Sequence, residues 1–194
     1  MKYLGTAIRM MVVTAVLFGL IYPLAMTGVA QVIFPGAANG SLVKVNGKVV
    51  GSSLIGQQFT SAKYFQPRPS AAGNGYDAMA SSFSNLGPTN AKLMARIKAD
   101  VAKLVAQNPG LKAGSIPVDM VTTSGSGLDP DITVANARAQ APRVAAARGL
   151  SPASVLALVA KNTTGRQLGF LGEQRVNVLR LNLALDAAQA VKGP

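Results

Sequence analysis

The fold is decided by Met10-Met-Val-Val-Thr-Ala-Val-Leu-Phe-Gly-Leu-Ile-Tyr-Pro-Leu-Ala-Met-Thr-Gly-Val-Ala-Gln-Val-Ile-Phe34. These 25 residues carry no charge, and the next charged side chain is Lys44. As a helix the run would be about 37 Å long at 1.5 Å per residue. A hydrocarbon core of about 30 Å needs roughly 20 residues, so the run is long enough to span one. Lys2 and Arg9 precede it, and Phe34-Pro35-Gly36 stops it. A secretory signal reads the same residues differently. Lys2 and Arg9 would be its basic region, Met10 to Leu24 its apolar region, and Gly28-Val29-Ala30 its cleavage site. Val32, Ile33 and Phe34 continue the apolar run past that cut, which favours a retained span. Pro23 lies inside the span and would free a carbonyl for a neighbour to satisfy. Ala15 and Gly19 form a small-residue pair that would let another helix approach. A single span encloses no ion path, so any pore would belong to other chains. The positive-inside rule places the amino terminus inside and residues after about 40 outside the cytoplasm.

Outward from the span, the organisation is a short basic amino terminus (1–9), a transmembrane helix (10–34), a linker (35–43) and a soluble mixed domain (44–194). The domain has 151 residues, 17 of them basic and 7 acidic, a net charge of +10. That length can bury close to 70% of its unfolded surface, so the domain has enough chain for a core of its own. The whole chain is 49% hydrophobic and 13% charged, which excludes charge-driven disorder. It contains no cysteine and no histidine. Disulfide scaffolds, thiolate metal sites, cysteine nucleophiles and imidazole catalysis are excluded with them.

Val43 to Val50 alternates valine with polar residues around Asn46-Gly47, the pattern of a β-hairpin. Leu54 to Phe59 reads as a short strand. Tyr64 to Asp77 and Asn85 to Asn90 are rich in Pro, Gly, Ser and Asn and read as functional or packed loops. Thr89 or Asn90 caps a helix whose apolar face is Leu93, Ile97, Val101, Leu104 and Val105, ended by Asn108-Pro109-Gly110. Pro117 to Thr123 is a candidate strand. Thr133 caps a second helix that Pro142 should kink or break and Gly149 closes. Ser151-Pro152 opens a third, with Val155, Leu158 and Val159 on its apolar face. Val176 to Leu179 reads as a strand and Leu181 to Ala190 as a terminal helix. The mixed order gives an α+β (mixed α/β) domain after one amino-terminal transmembrane helix.

The chemistry available is sparse. The acids are Asp77, Asp100, Asp119, Asp129, Asp131, Glu173 and Asp186. Asp129 and Asp131 bracket Pro130 and read as turn-forming acids, with a divalent ion as the alternative. Ser124-Gly-Ser-Gly127 suggests a phosphate cradle, but the Walker spacing is absent and no lysine follows. An Asp-Lys-Thr-Gly phosphorylation motif is also absent. A Ser-Lys dyad stays open, although no Ser-x-x-Lys of the lactamase kind occurs. Scattered basic residues with 5% aromatics read as a solvated or lipid-facing basic surface, not a nucleic-acid site.

The following blocks together resemble the C subunit family of the Kdp potassium-transporting ATPase: Gly56-Gln-Gln-Phe-Thr60, Tyr64-Phe65, Arg68-Pro-Ser-Ala-Ala-Gly73, Tyr76-Asp77, Ser84-Asn-Leu-Gly-Pro-Thr-Asn90, Pro117-Val-Asp119, Ser124-Gly-Ser-Gly-Leu-Asp-Pro-Asp-Ile132, Gln140-Ala-Pro-Arg-Val144, Ala147-Arg-Gly149, Arg175-Val-Asn-Val178 and Leu181-Asn-Leu-Ala-Leu185. The resemblance runs from the span to about Asp186. Phe83 departs from it, standing where a small residue is expected.

The resemblance implies a non-catalytic accessory subunit of a high-affinity, ATP-driven potassium importer of the bacterial inner membrane. It implies two partners, a channel-like potassium-binding subunit and a P-type ATPase subunit. No cofactor is bound covalently, and ATP enters through the complex. Two roles follow from it. One is a catalytic chaperone that raises the ATPase subunit's nucleotide affinity, attached to Gln140. The other is an extracytoplasmic brace or lid on the channel-like subunit, with Arg68, Pro69, Ser70, Asn85 and Asn90 on its contact loops. The charge balance favours the outside placement. A secreted binding protein with a cleaved signal, and an enzyme with a Ser-Lys or carboxylate site, are the alternatives from other classes.

Overall fold

A computed structural model describes residues 3–190. The chain divides between Ser52 and Ser53 into two compact units. The β-hairpin therefore groups with the apolar helix, not with the domain that follows.

The first unit begins with α1 (Leu4–Val16), a π-helical turn (Leu17–Ile21) and α2 (Tyr22–Ile33). These make one unbroken helix of 30 residues, Leu4–Ile33, long and apolar enough to cross a membrane and fitting a single-pass membrane protein. It starts earlier than the apolar run and takes in Arg9, whose Nε donates to Gly5 O at 3.2 Å. Pro23 does not break it. The proline has no N–H for the Gly19 carbonyl, and the preceding turn is widened, with Tyr22 N donating to Leu17 O. Thr14 and Thr27 return their hydroxyls to the helix, to Met10 O and Pro23 O, each at 2.8 Å. In lipid this leaves neither hydroxyl unsatisfied. After α3 (Pro35–Ala38), β1 (Leu42–Val45) and β2 (Lys48–Ser52) form the expected antiparallel hairpin. Asn46 and Gly47 both take positive φ, 50° and 77°, at its turn.

The second unit contains α4 (Ala91–Gln107), β3 (Asp131–Thr133), α5 (Val134–Arg148), α6 (Pro152–Lys161), β4 (Thr163–Thr164), β5 (Arg175–Asn177) and α7 (Val178–Ala190). The strands form a small antiparallel sheet in the order β3-β5-β4, with Ile132 and Thr163 both opposite Val176. Helices α5, α6 and α7 pack beside it around Phe65, Ile132, Val144, Val155, Val176, Leu181 and Leu185, all buried. The architecture is α+β.

Four local expectations are corrected. Leu54 to Phe59 is not a strand. Gly56 docks singly on the neighbouring loop, its N–H on Leu128 O at 2.7 Å, and a Cβ there would lie 2.6 Å from Asp129 O. Pro117 to Thr123 is not a strand either. Val118–Met120 is a 3₁₀ turn that directs the buried Asp119 carboxylate to Thr133 and Asn136. Pro142 does not break α5 into two: one helix runs from Val134 to Arg148. The proline lies on the exposed side with Arg138, where the carbonyl it leaves without a donor meets water. The strand at Val176 stops at Asn177, whose Oδ1 accepts from Arg180 N at 3.1 Å and so starts α7 three residues before Leu181.

The helix ends match their sequence signals. Asn90 caps α4 by accepting from Lys92 N at 2.9 Å, and Thr133 caps α5 by accepting from Asn136 N at 3.1 Å. Ser151 caps α6, and Gly149 ends α5 with φ 64°.

Candidate functional site

The segment from Ala62 to Gln66 sends Phe65 into the core without joining the sheet. Its backbone polar groups still require partners. Side chains supply them. Asn182 of α7 takes both groups of Phe65: Oδ1 accepts from the N–H at 2.8 Å and Nδ2 donates to the carbonyl at 3.0 Å. Gln140 of α5 does the same for Gln66, at 2.8 and 2.9 Å. Arg143 donates to Ala62 O at 2.7 Å and Tyr64 O at 3.1 Å. Arg148 donates to Lys63 O at 2.6 Å. The segment, a turn at Ser61–Tyr64 closed by Tyr64 N donating to Ser61 O at 3.2 Å and then irregular chain, is thus held by two carboxamides and two guanidinium groups.

This network fixes Gln140. The residue is 2% exposed. Besides Gln66, its Nε2 donates to Asn136 Oδ1 at 2.7 Å and its Oε1 accepts from Arg143 Nη2 at 2.7 Å. Every lone pair and proton of the amide that geometry allows is engaged inside the domain. Burial lowers the Arg143 pKa from its ordinary value, and the neutral oxygens around the guanidinium, with Asn108 Oδ1 at 3.0 Å, replace lost water. Arg148 also pairs with Asp186 at 2.8 Å and lies 4.8 Å over the Tyr64 ring.

Beside this segment is a cleft of about 260 Å³, between α4 and the loop from Gln58 to Pro69. Leu104 and Lys103 of α4, Phe59, Tyr76, Gln66 and Gln140 line it. Gln58, Gln107 and Asn136 also line it. Tyr76 donates its hydroxyl to Arg68 O, and burial pushes its pKa up to about 12.

Arg68 and Ser70 knit loops together. Arg68 pairs with Asp129 at 3.1 Å and donates to Thr123 O at 3.2 Å. Ser70 Oγ donates to Gly127 O at 2.6 Å and accepts from Tyr76 N at 2.8 Å. Pro69 lines the cleft. Asn90 is engaged as the α4 cap. Asn85 is exposed, at φ 53°, on a separate shallow surface with Phe83 and Leu86. Arg68, Pro69, Ser70 and Gln140 therefore fall in one neighbourhood, and Asn85 and Asn90 outside it.

The glycines of Ser124-Gly-Ser-Gly127 serve packing. Gly127 has φ 69°, and a Cβ there would lie 2.6 Å from Ser82 O and 2.8 Å from Ala72 N, so three loops meet at that point. Asp129 accepts from Asp131 N at 3.0 Å, which makes it the turn-forming acid expected. Asp131 pairs with Arg175 at 3.0 Å. Its carboxyl is raised above the ordinary value, first by burial, against the hydrogen bond from Asn177.

Sequence reasoning missed Asn136, Arg143, Arg148 and Asn182. Arg143, Arg148 and Asn182 lie inside the motif blocks that carry the resemblance, and all four are polar residues on helical faces that alanines, valines and leucines mark as inward.

The family model described as "KdpC: K+-transporting ATPase, c chain" matches residues 4–187. A protein of Koribacter versatilis named potassium-transporting ATPase KdpC subunit is 56% identical over 193 residues, covering 100% of this chain and 98% of that one. Its namesake in Caulobacter vibrioides is 59% identical over 188 residues, 96% of this chain and 94% of the other. The one in Mycobacterium tuberculosis is 57% identical over 185 residues, 95% and 98% of the two chains. With the match running from the apolar helix through the domain core to α7, this chain belongs to the KdpC family, the c chain of K+-transporting ATPases.

Proposed function

We propose that this chain is the accessory, non-catalytic subunit of a high-affinity, ATP-driven potassium importer in the bacterial inner membrane. Its partners are a channel-like potassium-binding subunit and a P-type ATPase subunit. The domain works outside the cytoplasm as a brace or lid on the channel-like subunit, and its influence on ATP use is indirect. The observation that carries this reading is the state of Gln140. The amide is buried and holds Gln66 in place, so a nucleotide could reach it only by dismantling the core network. Asn85 is exposed and becomes the first contact residue to test. The cleft beside Gln140 supports a second reading, the chaperone role, in which a nucleotide base occupies the carboxamide-lined wall.

Topology separates the two. The chain has no cysteine, so Asn46→Cys creates a unique thiol. An impermeant maleimide on intact cells should label it. Absence of labelling, with labelling after lysis, would overturn the outside placement and favour the chaperone. Purification in detergent should recover the chain with both larger subunits, and Asn85→Ala should lower that recovery without unfolding the chain.

A further inference from the structure

Between β4 and β5 the chain leaves the body of the domain as a narrow finger. Thr164 and Arg175 pair across its base. Arg166 and Glu173 face each other at 3.0 Å further out. Gln167 and Leu171 exchange hydrogen bonds of 2.9 Å in both directions beneath the tip. The turn is made by Leu168 and Gly169, both at positive φ, 52° and 84°. Every residue from Thr164 to Gln174 is exposed.

The tip is apolar: Leu168 is 83% exposed, Phe170 69% and Leu171 47%. Leucine is a poor choice for a left-handed turn position, which Asn or Gly fills without strain. Nothing in the domain gains from its side chain there. Beneath the apolar cap the neighbouring sequence is basic. Residues 161–180 carry Lys161, Arg166, Arg175 and Arg180; Arg166 pairs with Glu173 and Arg175 with Asp131, which leaves Lys161 and Arg180, both exposed, outside the ion pairs among the described residues.

We propose that the Leu168–Leu171 tip is a second membrane contact, inserting into the headgroup and acyl boundary of an anionic leaflet. Three observations choose lipid as the occupant. The Leu4–Ile33 helix tethers the domain to a bilayer, so the tip meets lipid at high effective concentration and weak insertion suffices. Lys161 and Arg180, exposed on the elements that flank the finger's base and outside the ion pairs, add attraction to anionic headgroups. The tip is also small. A specific protein interface usually needs about 1,000 Å² or more, whereas three side chains match the shallow depth of a lipid interface. The proposal requires the anchor but not a side of the membrane, so it stands or falls separately from the placement above.

The chain has no tryptophan, which makes Phe170→Trp the sole indole in the full-length protein. The variant is reconstituted alone in vesicles of phosphatidylethanolamine and phosphatidylglycerol, with and without acyl-brominated lipid. Its emission is expected at short wavelength, losing most of its intensity to the brominated lipid, and less in phosphatidylcholine alone. Met79→Trp, on a loop residue 98% exposed, is expected to stay solvent-like and unquenched. An unquenched Phe170→Trp, equal quenching of the Met79→Trp variant, or equal quenching in phosphatidylcholine would overturn the proposal. So would shielding that arises only when partner subunits are added, which would assign the tip to a protein.

Discussion

Helices α4 and α5 invert the usual relation between apolar pattern and burial. Helix α4 has a clear apolar face of Leu93, Ile97, Val101 and Leu104, yet none of its residues is buried, and Met94 and Val105 are exposed. Helix α5 has no such face and reads as alanine, arginine, asparagine and glutamine. It nevertheless buries Asn136, Ala137, Gln140, Ala141, Arg143, Val144, Ala145 and Arg148. Ala137, Ala141 and Ala145 recur every four residues and let α6 pack closely. The polar residues between them are buried because the irregular Ala62–Gln66 segment needs their donors and acceptors. Burial here follows which groups can satisfy one another, and periodicity reports only half of that.

The largest test of this contrast is Arg143→Ala. It removes the donor to Ala62 O, Tyr64 O, Asn108 Oδ1 and Gln140 Oε1 at once. A loss of about 3–4 kcal/mol is expected in urea unfolding of the detergent-solubilised chain. A loss below about 1 kcal/mol would show that α5 does not organise the core through its polar side chains. Gln140→Ala should cost about 2 kcal/mol and speed hydrogen exchange at the Gln66 amide. Gln140→Glu should restore only part of this, because a carboxylate accepts from Gln66 N and Arg143 but cannot donate to Gln66 O. In α4, Asn90→Ala should cost about 1 kcal/mol, the ordinary value for a lost amino-terminal cap, with faster exchange confined to the first turn. Val105→Ser should change stability by no more than about 0.5 kcal/mol despite its place on the expected apolar face. A larger effect would mean that α4 is held to the core more firmly than its exposure implies.

Local signals were legible where neighbouring residues in the chain decide the outcome. The Asn46-Gly47 turn, the caps at Asn90, Thr133 and Ser151, and the stop at Gly149 depend on backbone groups within a few positions. Pro142 misled because the cost of a missing donor depends on whether its carbonyl meets water or protein, which periodicity does not reveal. Pro117 to Thr123 misled because Asp119 is needed 14 residues away, at Thr133. Among the expected site residues, Arg68, Ser70 and Gln140 were conspicuous as motif members. The bonds by which they tie separate segments together run to residues 54 to 74 positions distant, so that work was invisible beforehand.

The sequence by itself determined the long apolar helix, the absence of thiol and imidazole chemistry, and the family, because each rests on composition or on residues in order. Only the tertiary structure decided that Gln140, Arg143, Arg148 and Asn182 face inward and hold the Ala62–Gln66 backbone. A backbone carbonyl selects its donor by proximity in space, and chain order carries no measure of that distance.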